Sequence, residues 1–141
     1  MVAAWNITDR PLGLVVTGEA NEWTSALERI VGPRLLTTVH VDCDRDLLRV
    51  IQRREAHAAV IDDDVDWGLD ALGMLRQVRS IDALFPVVVV TRHSDRRWLE
   101  AALRLAAFSV VAKPLELEEL LRQIRRIMIR LDQFLRESPD M

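Results

Sequence analysis

Five short apolar runs recur along this chain at intervals that leave room for one helix between each pair: LGLVVT (12–17), LLTTVHV (35–41), AAVID (58–62), VVVVT (87–91) and FSVVA (108–112). Rich in valine and leucine and poor in polar alternation, they suit strands buried on both faces, as in a parallel sheet. The stretches between them change period. Trp23, Ala26, Leu27, Ile30 and Val31 repeat at helical spacing, and Pro33 stops that helix. Leu47, Leu48 and Ile51 follow a cap expected at Asp44, and Leu69, Leu72, Leu75 and Val78 form a third stripe. Leu99, Ala102, Leu103 and Ala106 form a fourth, with Ser94 placed to cap it. Strand–helix units of about 20–25 residues predict an α/β fold, a doubly wound five-stranded parallel sheet, because each right-handed crossover needs a helix to cover one face.

The 141 residues suffice for one core, and half of them are hydrophobic. Residues 1–11 have no sustained period and are expected to be a flexible leader. Residues 12–126 carry the domain, and 127–141 a helical extension and tail. No internal repeat, low-complexity tract or linker interrupts them. No apolar run approaches the roughly 18 residues of a membrane span, so no membrane association is expected. The single cysteine, Cys43, cannot pair internally and agrees with a reducing cytoplasm. A net charge of −3 gives no global pull toward nucleic acid.

In such sheets ligands bind beyond the carboxyl ends of the strands. The residues there are Thr17-Gly18-Glu19, Asp62-Asp63-Asp64, Thr91-Arg92 and Lys113-Pro114. Lys113 is singular: the chain has nineteen basic residues, and the other eighteen are arginines. An ammonium is a compact point charge and a guanidinium a flat fork, so a lone lysine calls for a local chemical reason.

AVID at 59–62, VVVVT at 87–91 and AKP at 112–114 resemble the receiver domains of two-component response regulators, over residues 12 to about 126. The resemblance implies a flavodoxin-like sheet of order 2-1-3-4-5. It makes Asp62 the acceptor of a phosphoryl group from a histidine kinase, with Thr91 hydrogen-bonding and Lys113 neutralising the phosphoryl oxygens. Those roles are chemically coherent: a carboxylate nucleophile, a hydroxyl donor and a cation facing developing negative charge.

The departures are equally specific. Where the family carries two acids that help bind Mg²⁺, this chain has Thr17 and Gly18, and only Glu19 beyond them is acidic. Mg²⁺ demands near-octahedral oxygen ligands, so weak binding, or none, is expected through Asp62 and Glu19, with Asp63 and Asp64 as loop acids. The small residue expected after Thr91 is replaced by Arg92, which either covers the pocket or points to solvent. The aromatic switch position falls at Val110, so the usual rotamer-coupled readout lacks its ring. The DDVDWG loop is no EF-hand, because Trp67 and Gly73 stand where glycine and glutamate are obligatory. His40, His57 and His93 lack metal-ligand spacing, Cys43 reads as structural, and the arginine-rich helices read as solvated faces.

The last helix is long. Leu117, Leu120, Ile124, Ile127, Leu131 and Phe134 are spaced 3-4-3-4-3, widened by Leu121, Met128 and Leu135. That spacing predicts a coiled-coil-like seam and a homodimer through it. The reading favoured is an atypical receiver, not an enzyme, that binds a histidine kinase or another signalling protein, with phosphorylation of Asp62 weak or absent. A working phospho-acceptor is the second reading, and an unrelated flavodoxin-like ligand binder or enzyme the third.

Overall fold

A computed structural model of the chain describes residues 11–18, 21–64 and 67–136, without the side chains of 21, 22 and 134–136. Strands β1 (Leu12–Thr17), β2 (Leu36–Val41), β3 (Ala58–Asp62), β4 (Val87–Thr91) and β5 (Ser109–Ala112) alternate with helices. The helices are α1 (Asn21–Val31), α2 (Asp44–Gln52), α3 (Ala71–Ile81), α4 (Arg96–Arg104) and α5 (Leu117–Arg136). All four strand pairings are parallel, in the order β2-β1-β3-β4-β5. The doubly wound sheet and its order are as expected. The reversal of strand order lies between β1 and β3, so the ends of those strands border the crevice where such folds place their chemistry.

Period-two alternation deals the strand residues onto two cores. Leu14, Val16, Val60, Val88 and Val90 face α1 and α5 with Leu27, Leu120, Ile124 and Ile127. Val15, Ile61, Val87 and Val89 face α2, α3 and α4 with Leu47, Ile51, Leu75, Trp98 and Ala102. Each fully buried leucine or isoleucine contributes about 1.5–3 kcal/mol. Gly32 leaves α1 with φ +95°, a left-handed conformation that suits glycine just past a helix end.

Several local expectations are corrected. Cys43, not Asp44, occupies the N-cap position of α2, and Asp44 is its first helical residue. Asp95, not Ser94, caps α4, accepting from the Trp98 N–H at 3.1 Å. The buried face of α4 is Trp98 and Ala102, with Leu99 partly packed beside them and Leu103 exposed. Ala106 lies past the helix end in the left-handed region, φ +59°. Arg79 of α3 donates to the Leu105 and Ala106 carbonyls at 2.8 and 2.9 Å and so ties the ends of α3 and α4 together.

The seam of α5 is the largest correction. Leu120, Ile124 and Ile127 are fully buried against their own sheet, and Leu117 and Leu131 pack partly against the same core. They cannot form a solvent-facing dimer stripe. Of this 20-residue helix, about 30 Å long, the stretch from Leu117 to Leu131 packs on the sheet. The side chain of Phe134 lies outside the described residues. On its flank α5 places the guanidinium groups of Arg126 and Arg130 over the Phe108 ring, 5.3 and 5.4 Å from its centroid.

Candidate functional site

The parallel register brings four strand ends to one edge. Asp62 pairs with Val90, and Thr91 with Ala112, so the ends of β3, β4 and β5 stand side by side. The Lys113 N–H donates to the Thr91 carbonyl at 2.9 Å, and the Lys113–Pro114 peptide is cis. From β1, the buried hydroxyl of Thr17 accepts the Asp62 N–H at 2.9 Å. That residue therefore supplies a neutral backbone clasp at a position where the family it resembles carries an acid.

The three consecutive aspartates divide between two partners. Asp62 and Asp64 converge on Lys113, whose ammonium donates to Asp62 Oδ1 at 2.6 Å and to Asp64 Oδ2 at 2.5 Å. Asp62 Oδ1 also accepts the Asp64 N–H at 2.8 Å, which folds the chain so that the second carboxylate reaches the lysine. Burial pushes the Lys113 pKa down, but the hydrogen bonds it donates to Asp62 and Asp64 outweigh it and hold it above the ordinary lysine value. The same bond to Lys113 holds Asp64 below the ordinary carboxylate value, with the Arg92 guanidinium assisting.

Asp63 faces the other way. Its Oδ2 accepts the Thr91 hydroxyl at 3.0 Å, and its Oδ1 accepts the Ala71 N–H at the start of α3, also at 3.0 Å. His93 Nε2 lies 3.2 Å from Asp63, while the His93 ring stacks on Trp98 at 4.7 Å between centroids. The expected convergence of Asp62, Thr91 and Lys113 on one point is thus only partly realised. Lys113 meets Asp62, but the Thr91 hydroxyl is bonded to Asp63. Asp62 ends β3 and Asp63 and Asp64 lie in the turn that follows, which sends Asp62 and Asp64 to Lys113 and Asp63 to Thr91. The sequence placed Asp62 at the strand end and Asp63 and Asp64 in the loop after it, but not their partners. Asp63, Asp64 and His93 are the residues that reading the sequence undervalued.

Of the pocket-modifying positions, Arg92 is 73% exposed and leans on Asp64, Nε to Oδ2 at 3.4 Å, so it borders the site without filling it. Val110 is half-buried against the core that holds Trp98. Gly18, with φ +75°, offers its carbonyl to the His40 ring from β2. His57 accepts the Gly13 N–H at 2.8 Å, as a satisfied core histidine should.

Much of the donor set that Mg²⁺ would need is engaged within the chain. Thr17 is committed to a backbone N–H, the Gly18 carbonyl to His40, and the carboxylates of Asp62 and Asp64 to an ammonium. Among the described residues no three acidic, histidine or cysteine side chains gather as a metal would need. Glu19, the remaining expected ligand, lies outside the described residues.

No protein-family model matches the chain. It is 31% identical over 85 residues, 60% of its length, to the C4-dicarboxylate transport transcriptional regulatory protein DctD of Pseudomonas aeruginosa. It spans about a fifth of the length of the curated relatives it matches, 18% for DctD. Among solved structures, a CheY-like response-regulator receiver from Methanospirillum hungatei superimposes with a TM-score of 0.73 at 12% identity, covering 87% of this chain and 98% of that one. The receiver domain of the sensor histidine kinase PA1611 from P. aeruginosa, crystallised with magnesium in its active-site cleft, gives 0.68 at 19% identity, covering 84% and 98%. Among the described residues no helix is long and apolar enough to cross a membrane. With its strand order and these likenesses taken together, the chain has the fold of response-regulator receiver domains and resembles one of them in sequence over 85 residues.

Proposed function

We propose that this receiver is a cytoplasmic signalling module that works through protein–protein contact, with a histidine kinase or another signalling protein as partner and with phosphorylation of Asp62 weak or absent. One observation carries the reading: the cation and the hydroxyl that would receive phosphoryl oxygens are already bonded to carboxylates of the same chain. A phosphoryl group arriving at Asp62 has to displace Asp64 from Lys113 and Asp63 from Thr91. Weak Mg²⁺ binding belongs to the same reading, since the carboxylates are spoken for. A homodimer through α5 is left with its last two turns, beyond Ile127, and sedimentation of the full chain measures it.

A second reading has its own observation. Asp62 lies beside Lys113 and its side chain is 18% exposed, so a donor can reach it. The Thr91 hydroxyl points instead to Asp63 as the acceptor. Incubation with Mg²⁺ and acetyl phosphate, followed by intact mass, decides between the readings. The proposal expects no more than a trace of an adduct of about 80 Da. A stoichiometric adduct overturns it, and its loss in Asp62→Asn or in Asp63→Asn names the acceptor.

A further inference from the structure

We propose that Asp64 is an internal competitor that closes the site by occupying Lys113, with Arg92 holding it in place. This inference rests on the reading above and adds the residue responsible for it.

Geometry comes first. The ammonium has two carboxylates at hydrogen-bond distance, Asp62 at 2.6 Å and Asp64 at 2.5 Å. A modified aspartate at this strand end would bring the lysine a second anion; here Asp64 already is that second anion. The Lys113 side chain is 13% exposed, so water does little to screen the contact from its side, while Asp64 is 54% exposed. Its backbone N–H is anchored to Asp62 Oδ1 at 2.8 Å, and the Oδ2 that accepts from Lys113 also faces Arg92 Nε at 3.4 Å. Charge bookkeeping agrees. Asp62, Asp64, Lys113 and Arg92 sum to zero, so the closed arrangement leaves no uncompensated cation to draw in a phosphoryl anion.

The step that Asp64 hinders is explicit. A carboxylate oxygen at the strand end attacks the phosphorus of an acyl phosphate, the new O–P bond forms, and the bond from phosphorus to acetate breaks with its electron pair leaving on acetate. Negative charge on the phosphoryl oxygens needs a cation free to face them. With Asp64 in place, Lys113 is not free.

Because Lys113 is the only lysine in the chain, amine-selective acylation reads its availability directly, apart from any phosphorylation. Wild type, Asp64→Ala and Asp64→Asn are labelled near pH 8 with an N-hydroxysuccinimide ester, and Lys113 is separated from the amino terminus by peptide mass. The same three proteins are then incubated with acetyl phosphate and Mg²⁺. Both substitutions are expected to speed Lys113 labelling severalfold and to raise the rate of adduct formation about tenfold over wild type. Asp64 is more than half exposed, so neither change should disturb folding, which circular dichroism verifies. Unchanged labelling in both variants overturns the proposal, as does faster labelling with no gain in adduct. A wild type that phosphorylates rapidly sinks the reading in the previous subsection; the labelling ratio and the rate ratio then still judge the role of Asp64 separately.

Discussion

Lys113 sits between two carboxylates, those of Asp62 and Asp64, and this fixes how the site should respond to pH. Asp64 has its pKa held below the ordinary 3.8, chiefly by the bond from Lys113. Its contribution to stability is complete above 3.8 and is lost as pH falls through the lower folded value. Lys113 is pushed down by burial but raised overall by Asp62 and Asp64, above the ordinary 10.5. Its contribution is complete below 10.5 and is lost as pH rises through the folded value. Wild type should therefore exceed Asp64→Asn in stability across the neutral range, by about 1 kcal/mol or less because Asp64 is so exposed. Urea titrations at several pH values should show that gap closing at both extremes. A gap that stays constant with pH would contradict the pairing. The same residues mark the limit of sequence reading at this scale. Asp62 and Lys113 were found by resemblance, but the bond from Thr91 to Asp63 depends on how the loop after β3 folds back on α3, where Asp63 also takes the Ala71 N–H.

At the scale of elements, α5 shows why period and partner are separate questions. The 3-4 spacing of Leu117, Leu120, Ile124, Ile127 and Leu131 specifies an apolar stripe whatever covers it. Here the cover is the sheet, through Leu14, Val60, Val88 and Val111. Leu120→Ala should cost about 3 kcal/mol by opening a cavity, and Leu120→Glu should cost more by burying an unpaired carboxylate. Denaturant midpoints check both. If Leu120→Glu left the midpoint unmoved while halving the mass in light scattering, the intermolecular seam would be restored. Capping teaches a related lesson in α4. Ser94 and Asp95 are both good N-caps by chemistry, and the structure uses Asp95; of the expected stripe Ala102 is buried and Leu99 packs partly on the core, while Leu103 is exposed and Trp98 takes the remaining buried place.

For the whole molecule, the two cores share the strands between them, so neither layer is an independent unit. Leu27→Ala on the α1–α5 side and Leu75→Ala on the α2–α4 side, both at fully buried positions, should each lower a single unfolding transition by about 2–5 kcal/mol. Two resolved steps in calorimetry or in tryptophan fluorescence against circular dichroism would refute that. The five strands, their parallel winding and the edge that carries the site were determined by the sequence alone. Runs of Val, Leu and Ile, helical stripes and the stops between them are local signals, and local sterics and hydrophobic period suffice to place them within a residue or two. Which carboxylate meets which donor, and what covers the stripe of α5, were decided only in three dimensions. Those outcomes depend on contacts between residues far apart in the chain, such as Asp64 with Lys113 and Thr91 with Asp63, and no local pattern encodes the distance between them.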